Sequence, residues 1–85
     1  MPVISRFFGI VIFMNWREHA PPHFHAKYGD DEIIVEIETG RVTGAMARRA
    51  VAMVREWREA HRAELLANWR LAEQRTALNR IPPLE

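Results

Sequence analysis

The hydrophobic period of the chain changes once, near Gly44, and that change restricts the architecture more than any other feature. Before it, apolar residues recur at every second position, as on a pleated strand; after it they recur every three to four, as on a helix. From His23 to Tyr28, Phe24, Ala26 and Tyr28 fall on one side and His23, His25 and Lys27 on the other. Gly29-Asp30-Asp31 signals a turn. Glu32 to Glu38 then alternates again, with Ile33, Val35 and Ile37 against Glu32, Glu36 and Glu38. A turn centred on Asp30-Asp31 pairs Tyr28 with Ile33, Ala26 with Val35 and Phe24 with Ile37, and on the opposite face His25 with Glu36 and His23 with Glu38. A slip of one residue sets apolar side chains against polar ones throughout, whereas a slip of two keeps the faces matched.

Val3 to Trp16 is rich in Val, Ile and Phe and is apolar at odd and even positions alike. It reads as one strand covered on both faces, with a bulge at Gly9. Ala20-Pro21-Pro22 lacks ladder donors and is a stiff connector, Thr39-Gly40 turns the chain, and Arg41 to Thr43 adds a short last strand. Beyond Ala45, one stripe comprises Met46, Ala50, Met53, Val54, Trp57 and His61, and a second Leu65, Trp69 and Ala72. The second stripe is rotated by roughly 80° from the first, and a continuous helix of about thirty residues would be ~45 Å long. The spacing therefore predicts a kink or break between Ala60 and Ala63. The expected fold is one α+β domain over 1–85, with a β part (1–44), a helical part (45–75) and an extended tail (76–85) in which Ile81-Pro82-Pro83-Leu84 docks apolar side chains. The sheet is expected to have three or four mostly antiparallel strands, followed by two helices, or one kinked helix, packed on one face.

Hydrophobic residues make up 48% of the chain and charged residues 27%, an ordinary globular balance that argues against disorder. Cysteine is absent, which excludes disulfides and thiolate ligands. The apolar run Phe7 to Trp16 is about half of the ~20 residues needed to span a bilayer. Asn15, Trp16, Arg17 and Glu18 end it without a small-residue cleavage site, so a cytoplasmic chain with no membrane partner is expected. A net charge of +1 does not by itself mark a nucleic-acid binder. The charge is unevenly spread, however: the first 44 residues carry four basic and six acidic side chains, and the remainder eight arginines and five glutamates. Arg48, Arg55 and Arg62, at heptad spacing opposite the apolar stripe and joined by Arg49 and Arg58, are candidates for phosphate contacts to RNA or DNA. A solvated helix face diluted by Glu56, Glu59 and Glu64 explains the same pattern.

The segment His19-Ala20-Pro21-Pro22-His23-Phe24-His25 holds three of the four histidines. His23 and His25 share a strand face, and the proline pair can fold His19 back toward them. Imidazole is the commonest ligand of zinc, nickel and iron, so His19, His23 and His25 are candidate ligands for a divalent transition metal with one open position. Glu38 is a possible further ligand. Glu36 is the candidate catalytic base for a metal-bound water, and either carboxylate could instead orient an imidazole. A polar cross-strand patch of His–Glu pairs without function competes with this reading. Ser5, the only serine, has no His or Asp placed to activate it.

These residues resemble the bacterial and archaeal family known as domain of unknown function 4160. The likeness is carried by Ile4-Ser5-Arg6-Phe7-Phe8-Gly9-Ile10, by His19-Ala20-Pro21-Pro22-His23-Phe24-His25-Ala26-Lys27-Tyr28-Gly29, and by Arg48-Arg49-Ala50, Glu56-Trp57, His61-Arg62, Glu64-Leu65-Leu66 and Asn68-Trp69. The resemblance implies a small single-domain protein, often encoded beside a second small domain and suspected of belonging to toxin–antitoxin modules. It assigns no catalytic or ligand residues. The expectation is an interaction module of such a locus or of a mobile element, binding a small protein partner or itself through the exposed sheet face or an edge strand, with RNA or DNA on the arginine helix. The alternative is a metal-dependent hydrolase or nuclease in which His19, His23 and His25 hold the ion and Glu36 activates its water.

Overall fold

The first apolar run is two strands. In the computed structural model, which describes residues 2–85, β1 (Val3–Phe7) and β2 (Ile10–Phe13) are antiparallel and joined at Phe8-Gly9. Both turn residues have positive φ, 48° and 81°, as in the two-residue turn whose twist suits a hairpin. The run is apolar at odd and even positions because Ile10, Ile12 and Met14 enter the core while Phe13 is buried on the other face, opposite His25. With β3 (His23–Tyr28), β4 (Asp31–Glu36) and β5 (Val42–Gly44), the sheet is a five-stranded antiparallel meander in sequence order. That corrects the expected three or four strands; the hairpin hidden in the first run supplies the extra one.

The β3–β4 register is also corrected, by two residues. Tyr28 pairs with Asp31, Ala26 with Ile33, Phe24 with Val35, His25 with Ile34 and His23 with Glu36. The turn is Gly29-Asp30, and Gly29 supplies the positive φ of 62° that its first central position needs. A slip of two keeps each side chain on its expected face, so Phe24 and Ala26 still face the core.

Helices α1 (Arg48–Ala60) and α2 (Arg62–Glu73) cover that core face, with the break at His61 inside the expected interval. The longest dimension of the molecule, 33 Å, could not hold an unbroken helix of that span. Trp57 is fully buried, with its ring 5.5 Å from Phe7 and 5.6 Å from Phe24, and its indole N–H donates to the Pro82 carbonyl at 2.9 Å. The tail is bound in place: Ile81 N–H donates to the Ile4 carbonyl at 2.8 Å, and the buried Asn68 amide bonds Asn79 through both its oxygen and its nitrogen. Arg58, expected on an open basic face, is instead buried and donates to the Ile37 and Glu38 carbonyls at 2.9 and 3.0 Å, which anchors the turn before β5. Gly40 makes this possible, since a Cβ there would sit 2.9 Å from the guanidinium. No helix is long and apolar enough to cross a membrane among the described residues.

Phe8 holds a left-handed backbone that costs a non-glycine residue roughly 1–2 kcal/mol, yet the residue is 60% exposed and recovers little by burial. Phe8→Asn creates the Asn-Gly pair that such turns prefer. It is expected to stabilise the protein by about 1 kcal/mol, raising Tm by about 4–8 °C in a thermal melt. A lower Tm would show that Phe8 contributes packing that its exposure conceals.

Candidate metal centre

Strand β3 alternates, so the residues that bury Phe24 and Ala26 turn His23 and His25 to the opposite face. The connection from β2, residues 14–22, then brings Glu18 over that face; its Ala20-Pro21 peptide is cis. The Glu18 carboxylate lies between the two rings, with one oxygen 2.5 Å from His25 Nε2 and the other 3.4 Å from His23 Nε2. Donor atoms of Glu18, His23 and His25 all lie within 4.8 Å of one another. Donors ~2.1 Å from one tetrahedral ion sit ~3.4 Å apart, so small side-chain rotations suffice to enclose a cation.

Both imidazoles are held by what surrounds them. His23 Nδ1 donates to the Pro21 carbonyl at 2.9 Å, which orients the ring with Nε2 toward Glu18. His25 Nδ1 lies 3.1 Å from a Glu32 oxygen, the carboxylate–imidazole pairing that fixes ring orientation at metal centres. Phe13 stacks on His25 with centroids 4.8 Å apart and planes 9° off parallel, and Trp69 from α2 packs 5.2 Å from His23. The side chain of His25 is only 8% exposed, that of Glu18 27%. Burial raises the pKa of Glu18, but the His25 hydrogen bond and the charges of His25 and His23 outweigh it and hold the carboxyl below its ordinary value.

The cluster therefore joins two of the expected histidines to an acid that sequence reasoning did not select. His19 is exposed and lies outside the group. Glu36 stands opposite His23 across the ladder, but its carboxylate accepts from the Thr39 hydroxyl at 2.9 Å. Glu38 is exposed in the following turn. The carboxylate that meets an imidazole from β4 is Glu32, brought diagonal to His25 by the two-residue change of register. Glu18 had one sequence signal, its place immediately before His19. Arg48 and Arg55 are exposed along α1, while the break at His61 places Arg62 on α2, so the three do not continue along one helix.

Fold and cluster together define a small α+β protein with a two-histidine, one-carboxylate group built from β3 and the β2–β3 connection and bordered by Trp69 of α2. The chain belongs to the family described as domain of unknown function (DUF4160), whose model matches residues 9–70. No curated protein and no solved structure matches it.

A carboxyl with a lowered folded pKa contributes stability above its unfolded pKa and loses it as pH falls through the folded value. For Glu18 the unfolded reference is near 4.5. In metal-free protein, the stability difference between wild type and Glu18→Gln should be full at pH 5–6 and close as pH falls below 4.5. Urea unfolding at pH 5.5 and pH 3 checks this; equal differences at both would remove the ionised Glu18–histidine interaction.

Proposed function

We propose that the protein binds one divalent transition metal ion, with zinc the first choice, through Glu18, His23 and His25, and uses it for metal-assisted hydrolysis. The observation that carries this reading is the convergence of three donors within 4.8 Å while both Nδ1 atoms are already engaged, by Pro21 and Glu32. Two imidazoles and a carboxylate form the ligand set of catalytic zinc, and three protein ligands leave a position for water. Iron and nickel accept the same donors. A bound ion lowers the pKa of its water toward ~7 and polarises the bond to be cleaved. His23 and His25 would hold the ion on a rigid strand, and Glu18 would offset its charge.

Purified without an affinity tag, the protein should take up one zinc ion per chain by calorimetry and elemental analysis. Saturating zinc at about 100 times Kd should stabilise it by about 2.7 kcal/mol, a Tm rise of roughly 10 °C or more at this size. His25→Ala and Glu18→Ala should each weaken uptake by at least 10-fold, and Glu32→Gln by about 10–100-fold. Uptake unaffected by His25→Ala would end the proposal.

A second reading, the interaction module of a toxin–antitoxin-like locus, is supported by one observation: Phe8, at 60% exposure on a strained turn, beside Tyr28, 38% exposed, and the partly buried Met53. Exposed apolar clusters of this kind mark protein interfaces. On mixing with the product of a neighbouring gene, amides 7–10 should gain hydrogen-exchange protection that Phe8→Asn abolishes; unchanged exchange there would exclude docking at this turn.

A further inference from the structure

We infer that the substrate of this centre is a single-stranded nucleic acid, its base stacked on Trp16 and its phosphates met by Arg17, Arg75 and the bound ion. The inference rests on the hydrolytic reading above and names its substrate class. Trp16 is 45% exposed, and its indole N–H donates to the Thr76 carbonyl at 3.1 Å. The ring is thus tethered at its polar end while nearly half of the residue stays in water. Glu18 is two residues along the chain, a backbone distance of at most ~7 Å, so a strand whose base stacks on Trp16 would run beside the segment that carries a metal donor.

The same hydrogen bond joins two segments that each carry a basic residue, since Arg17 follows Trp16 in sequence and Arg75 precedes Thr76. Both are exposed, and neither guanidinium enters an ion pair among the described residues. Both also hold positive φ, 63° and 60°, a backbone region that non-glycine residues rarely occupy. An aromatic face accepts any base, and arginines beside it track the backbone, which is the pairing of features that single-strand binders use. A duplex offers no unstacked base to the ring, so the preference is for single strands. In the reaction, a water oxygen forms the new bond to phosphorus, the bond from phosphorus to the leaving sugar oxygen breaks, and the water's proton ends on that oxygen. No oxidant or further co-reactant is needed.

The test is fluorescence anisotropy of labelled 12-nucleotide single-stranded DNA and RNA, with a duplex of equal length, against the zinc-loaded full chain between 50 and 200 mM salt. Single strands should bind more tightly than duplex, and whichever of DNA and RNA binds better identifies the sugar. Trp16→Ala should weaken binding by about 10-fold, while Trp16→Phe, which keeps a stacking face without the N–H, retains most of it. Arg17→Asn with Arg75→Asn, chosen because Asn tolerates positive φ, should reduce the salt slope by about 1.4. None of these variants should change zinc uptake. Duplex binding as tight as single-strand binding, affinity indifferent to Trp16→Ala, or no oligonucleotide binding by a chain that does take up zinc would overturn the inference; the last would turn the surface over to a protein partner. Oligonucleotide binding that follows Trp16 in a chain taking up no zinc would leave this surface standing and remove the hydrolytic reading instead.

Discussion

The alternation of β3 is the constraint from which both the core and the candidate centre follow. Phe24 and Ala26 are fully buried against the helices, and Phe24 meets the ring of Trp57. Burying a side chain the size of Phe is worth roughly 1.5–3 kcal/mol, and a one-residue slip would exchange it for histidine in the core. That free-energy difference keeps His23 and His25 on the other face. The ladder partners take the same parity: Ile12 and Ile33 flank Ala26 on the core side, Phe13 and Ile34 flank His25 on the other. The centre thus sits on the middle strand of five, where the backbone is paired on both sides.

Side-chain parity was legible in the sequence, and so was the helix break. His23 and His25 on one face, Phe24 and Ala26 on the other, and the change of stripe near His61 are consequences of period, which survives any error in register. Register itself was less legible, because a turn of Gly29-Asp30 and one of Asp30-Asp31 differ by two residues and leave every face unchanged. Only the neighbours change, and that is why Glu32 rather than Glu36 meets His25. The hairpin at Phe8-Gly9 was hidden for another reason. A bulky aromatic at positive φ is not a turn signal, and Phe13, buried against the His25 ring, removed the polar alternation that would have separated two strands. Glu18 was illegible because it comes from that connection, where no period predicts direction.

The second layer of the molecule acts on the same strand from a distance. Trp69 is positioned by α2, whose neighbouring residue Asn68 holds the tail through Asn79, and the tail in turn pairs Ile81 with Ile4 on β1. Trp69 packs against the ring of His23 while Phe13 packs against that of His25. Each imidazole is therefore confined by an aromatic neighbour as well as by a hydrogen bond from Nδ1. Two independent restraints on each ring reduce the rotamer entropy still to be lost when a ligand arrives.

The position of Glu18 bears on what such a ligand must overcome. Its two oxygens already reach Nε2 of both rings, the same atoms that a cation would use. An incoming ion therefore meets donors that are gathered but mutually engaged, and it must displace protons and shift the carboxylate rather than refold a loop. Pro21 and Glu32 would remain bonded to the Nδ1 atoms, since neither contact involves the Nε2 side of the ring. The hydrogen bonds that stabilise the metal-free arrangement and those that would orient the ligands are thus largely different sets. Exchange of one for the other would proceed on β3, whose opposite face carries the Phe24–Trp57 packing.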